Sequence, residues 1–363
     1  MFRKTLLILA PVLIWVTWQL SLPLNQYTFR TWEAVINEHS FTSSTARFYP
    51  RTKITMTEVG GLAPYTPHAF RRTVSWTIDE YGNRNTSPCN DPDVVVMGDS
   101  MSIGDTLDDS ETVTSLLSNE LHHCVRNISG GKLGTQVERL FRLGLHPKWV
   151  VVLIAQYAAG DVVELDQYDP RVFSSRLEPN PEWVDWFGIQ LSRIRKNMFW
   201  NYRFAHGIAS AFSRSFQSPE ERLSFYAPES AEPHTMIFSS PRDGRFIGPE
   251  DLAHLSDAVE RFSQLLAKSG SQLVFAIAPQ KEELYSDLTG KPVTPYSDNW
   301  LKTLPGKSFH YVDLFETYRS LYRDQKMLFH PYDDNHLNNN GAREFVKKML
   351  PVVKNGSDGV KKQ

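Results

Sequence analysis

The 363-residue chain is 41% hydrophobic and 22% charged, a globular composition with room for one large or two ordinary domains. Lys and Arg number 39 against 41 Asp and Glu, so the net charge of −2 gives no global field favouring nucleic acid or an anionic membrane face. Aromatic residues make up 12%, nine of them Trp, which suits large cores or carbohydrate stacking.

The chain starts with the short basic run Phe2-Arg3-Lys4, and no charge follows from Thr5 to Phe29. Leu6 to Leu24 is mostly apolar, which matches the ~20 residues a helix needs to cross a bilayer. A cleavable signal peptide has a shorter apolar core and an Ala-x-Ala-like site, and no such site is visible. Residues 1–29 are therefore expected to be an uncleaved signal anchor in the inner membrane. Arg3 and Lys4 stay in the cytoplasm by the positive-inside rule, and the chain after about Arg30 lies in the periplasm or outside the cell. A cleaved signal peptide would leave the compartment unchanged.

Residues 30–90 read as an N-terminal extension packing on the main domain. Thr73 to Asp79 alternates, with Val74, Trp76 and Ile78 on one face, the period of a half-buried strand. Tyr81 to Asn85 follows as a turn. The stretch holding Pro50, Gly60, Gly61, Pro64 and Pro67 reads as ordered loop.

From Asp91 the pattern becomes strand, helix, strand. Val94 to Met97 is a short apolar strand. Val113, Leu116, Leu117 and Leu121 mark a helix, and Val125 to Ile128 a second strand. A Gly-rich turn, Gly130 to Gly134, leads to a helix marked by Val137, Leu140, Phe141 and Leu145. Trp149 to Ala155 is apolar throughout and so covered on both faces. The two cysteines, Cys89 and Cys124, precede the first two strands. If those strands pair in parallel, their amino ends are neighbours and an oxidising compartment favours a bridge; otherwise they are two separate thiols.

Asp166 to about Pro249 breaks the rhythm and reads as an insertion, either a roof over the active site or a docking surface. Trp183, Trp186, Phe187, Leu191 and Ile194 give it a helical stripe, and Ser213 to Pro233 is polar and loop-like. The rhythm resumes with a helix from Pro249 to before Gly270, a strand from Gln272 to Ala278, a strand from Phe309 to Leu314, and a last helix from about Asn340. Residues 354–363 form a polar tail. The expected fold is a three-layer α/β domain over 91–353, with about five mostly parallel strands and an insertion at about 166–248.

Chemistry concentrates at two places. Gly98-Asp99-Ser100 ends the first strand, which puts the Ser100 hydroxyl at the carboxyl edge of the sheet, where open α/β sheets usually site their chemistry. A serine nucleophile needs a base, and Asp333-Asp334-Asn335-His336 offers one just before the final helix. In a D-x-x-H spacing Asp333 can orient the His336 imidazole; Asp334 competes for that part. The Asp105, Asp108, Asp109 and Glu111 cluster could bind a cation, or start and cap the following helix. No Cys/His zinc spacing or P-loop occurs, and no cofactor or metal is expected.

Together these segments resemble the SGNH (GDSL-type) hydrolase superfamily across about Asp91 to Val353. Val96 to Ser100 matches its first block and Asp333 to His336 its last. Asp79 to Asn85 is similar to a "D-x-x-G-x-R-N" run of membrane-anchored bacterial members, and Pro279 to Tyr285 to their segment after the fourth strand. The resemblance implies a flavodoxin-like sheet and acyl-ester chemistry, with Ser100 as nucleophile, His336 as base and Asp333 as its partner. The second block implies an oxyanion glycine, Gly131 or alternatively Gly130. The third should supply an Asn, and here Gly160 stands in its place; the Gln156 amide is the candidate substitute.

The expectation is thus a serine esterase or O-acetyltransferase acting on carbohydrate esters in envelope or exopolysaccharide modification. Its substrate is a carbohydrate or small acyl ester, and a membrane acyl-donor protein is a candidate partner. The competing expectation is an inactive scaffold or carbohydrate-binding subunit of a polysaccharide assembly.

Overall fold

A computed structural model describes residues 2–21, 35–36, 47–59, 71–156, 158, 162, 175–198, 224–226, 236–238, 249–285, 306–323, 327–330 and 336–358. Its centre is a five-stranded sheet of β3 (Val94–Gly98), β4 (Val125–Asn127), β5 (Trp149–Ala155), β8 (Gln272–Ala278) and β9 (His310–Val312). The order is β4-β3-β5-β8-β9, and every neighbouring pair is parallel. Numbered along the sheet's own strands, this is the 2-1-3-4-5 order of flavodoxin-like folds.

The period of two in these strands builds two cores. Val94, Val96, Val151, Leu153, Val274 and Ala276 point to one face, where α3 (Val113–Leu121) and α9 (Asn339–Asp358) cover them with Leu117, Phe345 and Met349. Val95, Met97, Val150, Val152, Ile154 and Phe275 point to the other, under Val137 and Leu140 of α4 (Leu133–Arg142) and Val259 and Phe262 of α6 (Pro249–Ala267). The helix α8 (Phe315–Arg323) serves both, adding Tyr318 to the first core and Phe315 to the second. Both faces being covered explains why β3 and β5 are apolar without alternation.

The extension contributes a hairpin-like pair, β1 (Lys53–Val59) and β2 (Arg71–Thr77), antiparallel with Met56 opposite Val74. Lys53 to Val59, expected as loop, is a strand. Its alternation buries Met56 and Glu58 while Lys53, Thr55 and Thr57 stay exposed, a pattern hidden between Pro50 and Gly60. A small core of Phe48, Met56, Val74, Trp76 and Ile78 also takes in Ile103 of the main domain. Cys89 and Cys124 form a disulfide with Cα atoms 5.8 Å apart. The bridge lies at the amino ends of β3 and β4, where the Asp93 N–H also donates to the Cys124 carbonyl.

In the insertion, α5 (Glu182–Met198) is a helix as expected. Its aromatic stripe does not face the core: Trp183, Trp186 and Phe187 are exposed. Within the stretch expected as polar loop, β6 (Ser224–Tyr226) is a strand, and it pairs with β7 (Met236–Phe238). At the amino terminus α1 (Phe2–Ser21) is helical, and residues 22–29 of the expected anchor lie outside the described residues. Among the described residues no helix is long and apolar enough to cross a membrane.

Candidate active site

Ser100 stands at the carboxyl edge of β3, next to β5, where the strand order reverses. That is the switch point at which open α/β sheets place their ligands. Three devices make the turn there. Gly98 has φ +140°, and a Cβ on it would lie 1.9 Å from the Leu153 carbonyl oxygen, so only glycine lets β3 and β5 approach. Asp99 caps the short helix α2 (Ser100–Ile103): its carboxylate accepts the Met101 N–H at 2.9 Å and the Ala155 N–H of β5 at 2.7 Å. Ser102 Oγ lies 2.9 Å from the Met97 carbonyl and 2.6 Å from that of Leu153. Burial pushes the Asp99 carboxyl above its usual range, and the N–H groups of Ala155 and Met101 offset part of that rise.

His336 Nε2 lies 3.0 Å from Ser100 Oγ, a hydrogen bond between residues far apart in sequence. His336 is held by its neighbours' backbones. The His330 N–H donates to the His336 carbonyl at 3.3 Å, and Phe329 and Leu337 form an antiparallel bridge. Lys281 of α7 (Lys281–Leu284) is fully buried and donates from Nζ to the His330 carbonyl at 2.9 Å. The segment after β8 therefore props the backbone that leads to His336. Asn338 adds two side-chain bonds to the Met327 and Phe329 carbonyls. Burial, more than the nearby Arg72, His336 and Lys281 charges, lowers the His330 imidazole to about 3, so it is neutral at working pH.

Asp333 and Asp334 lie outside the described residues. Among the described residues another carboxylate lies against the imidazole: Asp105 Oδ2 is 3.3 Å from His336 Nε2. The acidic cluster splits by partner. Asp108 and Glu111 form a capping box, Asp109 pairs with Arg84 at 3.1 Å, and Glu111 also pairs with Arg72. Asp108 and Glu111 thus cap only the short turn Asp109–Glu111; the helix α3 that follows is capped by Thr112, whose side chain accepts the Ser115 N–H, and Asp105 lies against His336.

Asp105 is positioned by the Asp79–Asn85 run. The Arg84 guanidinium is buried over the Trp76 ring at 4.1 Å and donates to the carbonyls of Ile103, Gly104 and Leu107, bracketing Asp105. Burial lowers the Arg84 pKa, and the Asp109 charge opposes that shift. Asp79 accepts from the Tyr81 and Asn83 backbones, from the Asn85 amide and from Arg126. Asn85 exchanges two hydrogen bonds with the backbone of Asn127 in β4, at 2.7 and 3.0 Å. The run fastens the extension to the turn after Ser100 and to β4.

In the Gly-rich turn after β4, Gly131 and Gly130 both have positive φ, 78° and 107°. The Gly130 N–H donates to the Gly98 carbonyl at 3.1 Å, which seats this turn beside the Ser100 turn. Gln136, missed in the sequence, latches the two turns together. Its Oε1 accepts the Gly98 N–H at 2.7 Å, and its Nε2 donates to the carbonyls of Gly98 and Gly131. The available signal was an amide on the apolar face of α4, next to Val137. Gln156 is buried at the end of β5, and its Oε1 accepts the Gln280 N–H at 3.2 Å. Gly160 lies outside the described residues.

The arrangement can do nucleophilic acyl chemistry. With its proton on Nδ1, His336 accepts the Ser100 hydroxyl proton at Nε2, and the Asp105 carboxylate then faces the N–H so formed.

No protein-family description and no curated protein matches the sequence. Among solved structures, the chain is similar to an acetyl xylan esterase, AlAXEase, at 12% identity and a TM-score of 0.36, over 72% of this chain and 99% of that one. It is likewise similar to an α/β hydrolase enzyme from the metagenome of Lake Arreo, Spain, at 13% identity and a TM-score of 0.34, over 72% of this chain and 94% of that one.

Proposed function

We propose that this chain is a serine acyl-ester enzyme of the SGNH type, anchored in the inner membrane with its main domain in the periplasm. It acts on carbohydrate esters, as an O-acetyltransferase or acetylesterase in envelope or exopolysaccharide modification. One observation carries the reading: the 3.0 Å contact of Ser100 Oγ with His336 Nε2 at the sheet's switch point.

In the proposed reaction Ser100 Oγ attacks the ester carbonyl carbon as His336 takes its proton. The N–H groups of Ser100 and Gly131 hold the oxyanion, with the Gln156 amide as a further donor. Each such donor is worth roughly 3–4 kcal/mol of barrier. Collapse breaks the bond to the alcohol oxygen, which receives the proton from His336 and leaves. Water or a sugar hydroxyl then attacks the acyl-serine, again deprotonated by His336, and the serine is regenerated. Asp333 serves at Nδ1 and Asp105 at Nε2, so that the imidazolium meets a carboxylate on both sides.

The test is acetyl release from 4-nitrophenyl acetate by the purified chain beside Ser100→Ala, followed by acetylated and unacetylated polysaccharides as donor and acceptor. Serine-dependent release supports the enzyme, and transfer to a sugar hydroxyl separates transferase from esterase. A folded protein with no serine-dependent turnover on any of these esters contradicts it and favours a scaffold.

A further inference from the structure

The helix α5 is built inside out for a helix facing water. Its inward face carries polar side chains: Asp185 pairs with Arg51, and Ser192 Oγ lies 2.6 Å from Tyr49 Oη, both helix residues being buried. Its outward face carries aromatic ones. Trp183, Trp186 and Phe187 stand at the i, i+3, i+4 spacing of one helix face and are 72%, 63% and 53% exposed. A water-facing helix has the opposite polarity. Three adjacent exposed aromatic side chains form a patch of the kind that marks an interaction surface.

What covers this patch is indicated by its neighbour. The helix α5 packs against α1, and the Arg193 guanidinium donates to the Leu20 carbonyl at 2.8 Å. The helix α1 also exposes apolar side chains, among them Leu13, Ile14 and Trp18 at 60%, 70% and 53%. The two exposed apolar surfaces thus belong to adjoining helices, one aliphatic-rich and one aromatic. Aliphatic surface suits acyl chains, and Trp side chains favour the boundary between acyl chains and headgroups.

We propose that the outward face of α5 is a bilayer-docking surface: Trp183, Trp186 and Phe187 seat in the interface of the membrane that α1 enters. The inference rests on the membrane-anchored reading of α1. It adds a second attachment, which fixes the domain's orientation on the membrane. The polar face of α5, tied to Arg51 and Tyr49, transmits that orientation to the domain.

The test uses the full chain reconstituted in phosphatidylethanolamine–phosphatidylglycerol vesicles. An environment-sensitive fluorophore is placed on Trp186→Cys and, as control, on the exposed Lys268→Cys; the native cysteines are bridged and do not react. Quenching by nitroxide-bearing lipid headgroups and by aqueous iodide is then compared. The expected result is quenching of the 186 label by at least half with nitroxide lipid and little with iodide, the reverse holding at 268. Vesicle flotation with a 186 label open to iodide overturns the docking surface and leaves the anchor standing. A 186 label shielded from both quenchers overturns it in favour of a second copy of the chain. Failure to float with vesicles overturns both the anchor and the docking surface, while turnover of 4-nitrophenyl acetate reports separately on the enzyme.

Discussion

Acid should weaken this protein through His330 before it titrates most carboxylates. The imidazole is buried beside the backbone that carries His336 and is held neutral down to about 3, against 6.5 for the unfolded side chain. Between those values the unfolded chain binds the extra proton, so stability falls as pH falls and is restored above 6.5. At pH of about 5 the linkage amounts to ~2 kcal/mol for this group alone, and each further pH unit costs about 1.4 kcal/mol until His330 itself titrates. His330→Gln removes the titration while keeping a polar side chain near Lys281 and His336. Urea unfolding at about pH 8 and pH 5 should show the native chain losing ~2 kcal/mol more than the variant. Parallel losses in the two proteins would rule His330 out and place the acid sensitivity elsewhere.

Three further outcomes follow from the same geometry. Asp105→Asn removes a carboxylate 3.3 Å from His336 Nε2; a charge-assisted hydrogen bond worth about 1.5–3 kcal/mol predicts a fall in kcat of roughly 10- to 100-fold, read by steady-state kinetics at a temperature where calorimetry shows the variant fully folded. Gly98→Ala forces a Cβ to within 1.9 Å of the Leu153 carbonyl in an unfavourable φ region, so the variant should lose several kcal/mol, about 3 or more, and fail to accumulate as soluble protein. Reducing the Cys89–Cys124 bridge opens a loop of 35 residues; loop-closure entropy predicts a loss of about 4 kcal/mol, seen as a lower urea midpoint in dithiothreitol.

The fold was legible because hydrophobic period and length agree along most of the main domain. The run from Trp149 to Ala155 is long and wholly apolar, and β5 has those bounds. The parallel pairing of the strands follows from helices covering both faces. Lys53 to Val59 escaped because its alternation is short and mostly Thr, and its partner β2 begins beyond a Pro- and Gly-containing stretch. The aromatic stripe of α5 was legible as a helix face but not as an outward one, since period alone does not say which side meets the core.

At the site, Ser100 and His336 were readable from their positions at a strand end and before a helix. Asp105 and Gln136 were not. Asp105 sits among carboxylates whose charge pattern is equally that of a helix start, and its place against His336 shows only once the Arg84 bonds to the carbonyls around it and the Thr106 N–H on its Oδ1 are seen. Gln136 acts through backbone atoms of Gly98 and Gly131, a pairing with no mark in the order of residues. Arg84 itself was visible as part of a short run, but its five side-chain hydrogen bonds need the fold to be seen.

Everything proposed for the reaction depends on Ser100 carrying the acyl group. Mass spectrometry of the chain quenched in acid after mixing with 4-nitrophenyl acetate measures this. One acetyl group is expected on the peptide that contains Ser100, and none in Ser100→Ala. In His336→Ala at neutral pH the acetyl group should fail to form at a comparable rate, because the base that takes the Ser100 proton is gone. An acetyl group on any other side chain, or turnover that survives Ser100→Ala, would contradict a serine acyl-enzyme.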